Sequence, residues 1–89
     1  MKYYVYILEC ADGTLYTGST QGSLEDRVHK HNHTKAGAKY TRARRPVVLR
    51  YSEECDSFAT ARAREAEIKR MKKPAKLALL KAPFLRKMI

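Results

Sequence analysis

The chain has 89 residues, enough for one domain, 1–89, whose single small core hides roughly 60% of the unfolded surface, so any functional site is a shallow surface patch rather than a deep cavity. Its 19 Lys and Arg against 9 Asp and Glu leave a net charge of +10, and the basic residues fall in two blocks without acids: Arg27, Lys30, Lys35, Lys39, Arg42, Arg44, Arg45 and Arg50 within 27–50, and a second block within 69–87. Solubility alone favours interspersed signs, so such blocks predict a polyanionic partner, while the lack of any long apolar run or signal peptide argues against a membrane span and predicts a soluble, cytoplasmic protein.

Tyr3 to Glu9 or Cys10 is rich in aromatic and β-branched residues and predicts a first strand. Thr14 to Ser19 predicts a second, with Asp12-Gly13 as the turn between them. A two-residue loop would pair Tyr6 with Ser19 and send Tyr16 to the opposite face. A three-residue Ala11-Asp12-Gly13 loop, with Gly13 left-handed, would pair Tyr6 with Gly18 and Leu8 with Tyr16. The three-residue loop is expected. It sets both phenols on one face as diagonal neighbours, and Gly18 leaves room for the Tyr6 ring or for a ligand.

Ser23 is a plausible N-cap for a helix over Leu24 to His31, with Glu25 and Asp26 suited to its positive end. Asn32 to Arg45 reads as a basic loop, and Pro46 to Tyr51 as a third strand. Asp56 or Ser57 caps a helix running through Ala59 to about Lys73. Pro74 stops it or starts another turn, Lys76 to Leu80 suggests a short final helix, and Phe84 to Ile89 is a basic and apolar tail with no assigned element. The order β-β-α-β-α-α predicts an α+β fold, a small three-stranded antiparallel sheet flanked by helices. Cys10 and Cys55 lack Cys-x-x-Cys spacing, so they read as reduced core or edge residues rather than zinc ligands or a disulfide framework.

Glu65 falls in line with Phe58, Ala61 and Ile68 on the helical stripe that should face the sheet. A carboxylate there is costly unless paired or bound to a cation, and the ordinary pairing would be with Lys69 one turn on. Arg27 and His31 share a helical face with Leu24; taken singly, each reads as a helix-surface or helix-end charge. His29 and His33 flank His31 at spacings of two, which scatters the three around the axis and disfavours a three-histidine metal site. Tyr40 among arginines suits stacking on an unpaired base or sugar, or anchors the loop, and Arg42, Arg44 and Arg45 would hold phosphates.

Tyr4-Val5-Tyr6, Tyr16-Thr17-Gly18, Arg27, His31 and Glu65 together resemble the GIY-YIG endonuclease superfamily. Two further stretches, Gly37 to Val47 and Arg64 to Lys69, look like its small stand-alone bacterial branch, similar to the nuclease half of structure-specific junction resolvases. The resemblance covers about residues 2 to 80. It implies a metal-dependent endonuclease acting on DNA, with RNA as a second candidate, directed by structure and serving DNA repair or recombination, with or without a targeting partner protein. Glu65 would hold one Mg²⁺ or Mn²⁺, for which a single carboxylate plus water and phosphate oxygens suffices. Tyr6 or Tyr16 would deprotonate or orient the attacking water, Arg27 would stabilise phosphate charge, and His31 would contact the scissile phosphate or relay a proton. Nucleic-acid contacts would come from Lys39, Tyr40, Arg42, Arg44, Arg45 and Lys73. Lys73 falls near the place where many family members carry Asn, and the first motif's Gly is replaced by Tyr4. Two other classes compete: a non-catalytic nucleic-acid-binding module with a degenerate site, and a basic structural protein whose hairpin tyrosines are only core.

Overall fold

The computed structural model describes residues 2–35 and 37–81, so the tail at 84–89 lies outside the described residues. Strand β1 (Tyr3–Glu9) is the middle of a three-stranded antiparallel sheet, with β2 (Leu15–Gln21) on one side and β3 (Val48–Cys55) on the other. Its run Val5, Tyr6, Ile7, Leu8 is apolar on both faces because both are covered. Val5 and Ile7 pack with Tyr51, Cys55, Ala61 and Ile68 under helix α3 (Phe58–Arg70), while Tyr6 and Leu8 pack with Cys10 and Val47 against Leu24 and Val28 of helix α1 (Leu24–His33). The fold is α+β as expected, and Cys10 and Cys55 are free thiols buried in the two halves of the core.

The hairpin adopts the three-residue loop. Tyr6 pairs with Gly18 and Leu8 with Tyr16, and Gly13 takes φ +84°, the left-handed conformation this turn needs. The Cys10 amide closes the loop onto the Thr14 carbonyl at 2.8 Å. Asp12 Oδ1 accepts from the Thr14 amide at 3.1 Å and its hydroxyl at 2.6 Å, and the Ala11 amide donates to the Arg44 carbonyl at 2.9 Å, tying the tip to the basic excursion.

Ser23 caps α1 by accepting from the Asp26 amide at 3.1 Å, and Ser57 caps α3 by accepting from the Thr60 amide at 3.1 Å. Several boundaries differ from the sequence reading: β2 covers Leu15–Gln21 rather than Thr14 to Ser19, and α1 continues past His31 to His33. The basic excursion contains one helical turn, α2 (Lys39–Arg42), whose Thr41 and Arg42 amides both donate to the Ala38 carbonyl. Strand β3 begins at Val48 rather than Pro46, because Asn32 takes both backbone groups of Val47, accepting its N–H at 2.8 Å and donating to its carbonyl at 3.1 Å. It runs on to Cys55 as an edge strand that leaves Ser52 and Glu54 exposed. Helix α3 ends at Arg70, and helix α4 (Lys73–Lys81) starts with Pro74 in its first turn, where a missing N–H costs no hydrogen bond.

Candidate functional site

The Tyr6 side chain lies across Gly18: a Cβ built there would stand 2.6 Å from the phenolic oxygen and 2.7 Å from Cζ. The hydroxyl thereby reaches α1, where it meets His31 Nε2 at 2.8 Å and accepts from Arg27 Nε at 3.3 Å. His31 is completely buried, its Nδ1 lies 2.8 Å from Thr41 Oγ1, and the Tyr6 and Tyr16 rings both meet it edge-on at 5.8 and 5.4 Å. Burial, then the charges of Arg27 and Arg45, lowers the His31 pKa to about 4, so the imidazole is neutral at pH 7. Burial also raises the Tyr6 phenol above its ordinary 10.0, opposed by the Arg27 hydrogen bond and charge. Tyr6, Tyr16, Arg27 and His31 thus form one cluster.

Glu65 comes to the neighbourhood from the other face of the sheet. Its Oε1 accepts the hydroxyl of Ser19, the β2 residue opposite Val5, at 2.6 Å, and its Oε2 lies 2.7 Å from Lys69 Nζ. Helix α3 is seated by Arg64, whose Nε and Nη2 bridge both carboxylate oxygens of Glu53 at 2.9–3.1 Å while Nη1 pairs with Glu67. Burial pushes the Glu65 carboxyl up, but the hydrogen bonds from Lys69 and Ser19 and the charges of Lys69 and Arg62 outweigh it, leaving the group below its ordinary range. Its charge is felt at the Tyr6 phenol. The donor set fits a hard divalent cation bound open to substrate: one ionised carboxylate, 15% exposed and already attracting an ammonium. Among the described residues no three His, Cys, Asp or Glu converge into a closed cage, so the other ligands would be water and phosphate oxygens.

The basic residues divide into two kinds. Lys39 and Arg42 are exposed. Arg44 is committed to Asp12 at 3.1 Å and the Tyr40 carbonyl at 3.0 Å, and its guanidinium lies 3.9 Å over the Tyr40 ring. That ring also stacks on Tyr16 at 5.9 Å and remains 37% exposed. Arg45 binds the end of α1, with Nε donating to the His31 carbonyl at 2.6 Å and Nη2 to that of Thr34. Exposed Lys73 reaches the hairpin tip, 3.5 Å from the Gly13 carbonyl. The rings of His29 and His33 lie tilted against each other, centroids 4.6 Å apart, on the exposed side of α1, apart from buried His31.

Thr41, Ser19, Asn32 and Gly37 are the site-building residues that sequence reasoning missed. A Cβ on Gly37 would fall 2.7 Å from the His31 Cα, so a glycine there lets the excursion press onto α1 and bring Thr41 to His31. A lone glycine between Lys35 and Tyr40, in a segment with no apolar period, was the available signal for a close backbone approach.

Residues 2–78 match the GIY-YIG catalytic domain family. Among curated proteins the chain is 54% identical over 80 residues to a UPF0213 protein of Syntrophus aciditrophicus, covering 90% of this chain and 91% of that one. It is 48% identical over 77 residues to a UPF0213 protein of Halobacterium salinarum, covering 86% and 97%. Among solved structures it is similar to the solution NMR structure of the UPF0213 protein BH0048 from Bacillus halodurans, with a TM-score of 0.58 and 41% identity over 91% of this chain and 84% of that one. No helix among the described residues is long and apolar enough to cross a membrane.

Proposed function

The chain belongs to the GIY-YIG catalytic domain family, a nuclease family, and on that premise we propose that it is a single-domain, divalent-metal-dependent endonuclease hydrolysing phosphodiester bonds in DNA. Substrate choice rests on shape rather than base sequence, with DNA repair or recombination as the setting and RNA as the second substrate class. The observation that carries the reading is the Tyr6 phenol held between the Arg27 guanidinium and the neutral His31 imidazole. Phosphodiester hydrolysis needs a base for water and a donor for the charge that develops on phosphate.

Tyr6 is the base: it takes the proton of the attacking water as its own passes to His31 Nε2, and Tyr16 walls the other side of that imidazole. Arg27, half-buried beside Tyr6, eases phenolate formation and faces the phosphate charge. Glu65 would hold one Mg²⁺ or Mn²⁺, with Ser19 orienting its carboxylate. When bound, that ion neutralises charge at the leaving oxygen. Lys39 and Arg42 add affinity without sequence choice. Ionisation of the phenol, raised by burial, supplies the same base directly without His31, so the rate climbs further with pH in the alkaline range.

The Lys69–Glu65 ion pair favours one other reading, a nucleic-acid-binding module whose ammonium permanently fills the cation position. Cleavage of labelled single-stranded, duplex and branched DNA with Mg²⁺ or Mn²⁺, from neutral to alkaline pH, separates the two. We expect metal-dependent cutting that falls about 10²- to 10⁴-fold in Tyr6→Phe and is abolished in Glu65→Ala. Salt-sensitive binding with no cutting of any substrate by the wild type would establish the binding module instead.

A further inference from the structure

One set of directions satisfies every hydrogen bond around His31 but the longest. The Thr41 hydroxyl gives its single proton to the Ala38 carbonyl, 2.9 Å away, which also receives the Thr41 and Arg42 amides and can only accept. Thr41 Oγ1 must therefore accept at its 2.8 Å contact with His31, which makes Nδ1 the protonated nitrogen. The neutral ring carries one proton, so Nε2 is a bare lone pair and the 2.8 Å contact with Tyr6 is the phenol donating to the imidazole. The phenolic oxygen in turn accepts from Arg27 Nε. The one contact at odds with this order is the Ala38 amide on Nδ1 at 3.5 Å, the longest of the set and at the limit of a hydrogen bond.

We propose that Thr41 is a positioning residue of this site: its hydroxyl, committed to the Ala38 carbonyl, fixes the His31 tautomer whose Nε2 receives the Tyr6 proton. The catalytic part of this role rests on the nuclease reading; the tautomer does not. As a proton moves from water to the Tyr6 oxygen and from Tyr6 to Nε2, His31 becomes an imidazolium that still donates from Nδ1 to Thr41. No heavy-atom bond changes in this relay, and the proton leaves by the reverse path after phosphate cleavage. The logic matches that of the aspartate behind a triad histidine, which selects the tautomer and ring orientation. A neutral hydroxyl in that position, with Arg27 and Arg45 nearby, stabilises the imidazolium far less than a carboxylate would, so His31 holds the proton only transiently. Buried Thr41 is brought into contact by the α2 turn and by Gly37 pressing on α1, a placement that uses the basic excursion as scaffold as well as surface.

The test is long-range ¹H–¹⁵N NMR correlation of the His31 side chain at pH 7 in the full chain, run on wild type, Thr41→Val and Thr41→Ser, beside cleavage kinetics on the same samples. The wild type should show protonated Nδ1 and unprotonated Nε2. Thr41→Val, nearly isosteric, should introduce the Nε2–H form and lower kcat about tenfold or more with KM little changed, and Thr41→Ser should restore both tautomer and rate. A wild-type His31 protonated at Nε2 overturns the proposal without any variant having to fold, as does a Thr41→Val protein with unchanged tautomer and unchanged rate. If no DNA is cut but the wild type and Thr41→Val show the expected tautomers, the nuclease reading falls and the positioning of His31 by Thr41 stands.

Discussion

Acidification should destabilise the fold through His31 before most carboxylates titrate. In the folded protein its pKa is about 4, against 6.5 for the free side chain. The unfolded chain therefore takes up a proton as the pH falls through 6.5, and the folded protein does not do so until about 4. Stability from this group is complete above that window and is lost progressively down through it. The two values imply a loss of about 3 kcal/mol, with a slope approaching about 1.4 kcal/mol per pH unit in mid-window. Urea unfolding of the wild type and of His31→Gln at a series of pH values isolates the effect, since the amide does not titrate. The variant should be less stable at neutral pH and should lack this part of the slope. Asp12 and Glu65, both held below their ordinary values, add their own losses only at lower pH. Equal slopes in the two proteins across the window would refute the reasoning, as would an imidazole that titrates near 6.5.

Gly18→Ala drives a methyl against the Tyr6 hydroxyl and Cζ, and the buried ring has nowhere to swing. It should cost about 1–3 kcal/mol in urea unfolding and shift the Tyr6 ring resonances, whereas the same change at an exposed site is nearly neutral. Arg64→Met leaves the Glu53 carboxylate, 11% exposed, without its bidentate partner, and should cost about 2–4 kcal/mol. Adding Glu53→Leu to that variant should recover most of the loss, as a double-mutant cycle would show.

What could be read in advance was what local chemistry decides. Asp12-Gly13 marks a turn by the conformations those two residues favour, and once Ala11 joins them in a three-residue loop with Gly13 left-handed, the register carries Tyr6 to Gly18 and Tyr16 to Leu8. Ser23 and Ser57 mark helix starts for the same reason, and the Glu65–Lys69 pair follows from a spacing of four. The site residues could be named because they recur in a family pattern, but their contacts could not be listed from it. Arg44 and Arg45 look alike as phosphate ligands in a basic run, yet Asp12 claims one and the carbonyls ending α1 claim the other, both partners distant in sequence. Thr41 was invisible for the same reason: a threonine beside arginines acquires a role only once Gly37 lets its segment lie against His31.

The hairpin tip has a consequence for how this domain tolerates change in length. A short turn between antiparallel strands is ordinarily where insertions and permuted termini are accepted at least cost. Here the tip holds two other parts of the chain: the Ala11 amide and the Asp12 carboxylate bind the carbonyl and guanidinium of Arg44, and the Gly13 carbonyl binds Lys73. A residue added between Cys10 and Thr14 would unlatch both basic segments at once, so natural variation in length and any grafted peptide belong elsewhere, with the exposed Asp56 junction between β3 and α3 the more forgiving place.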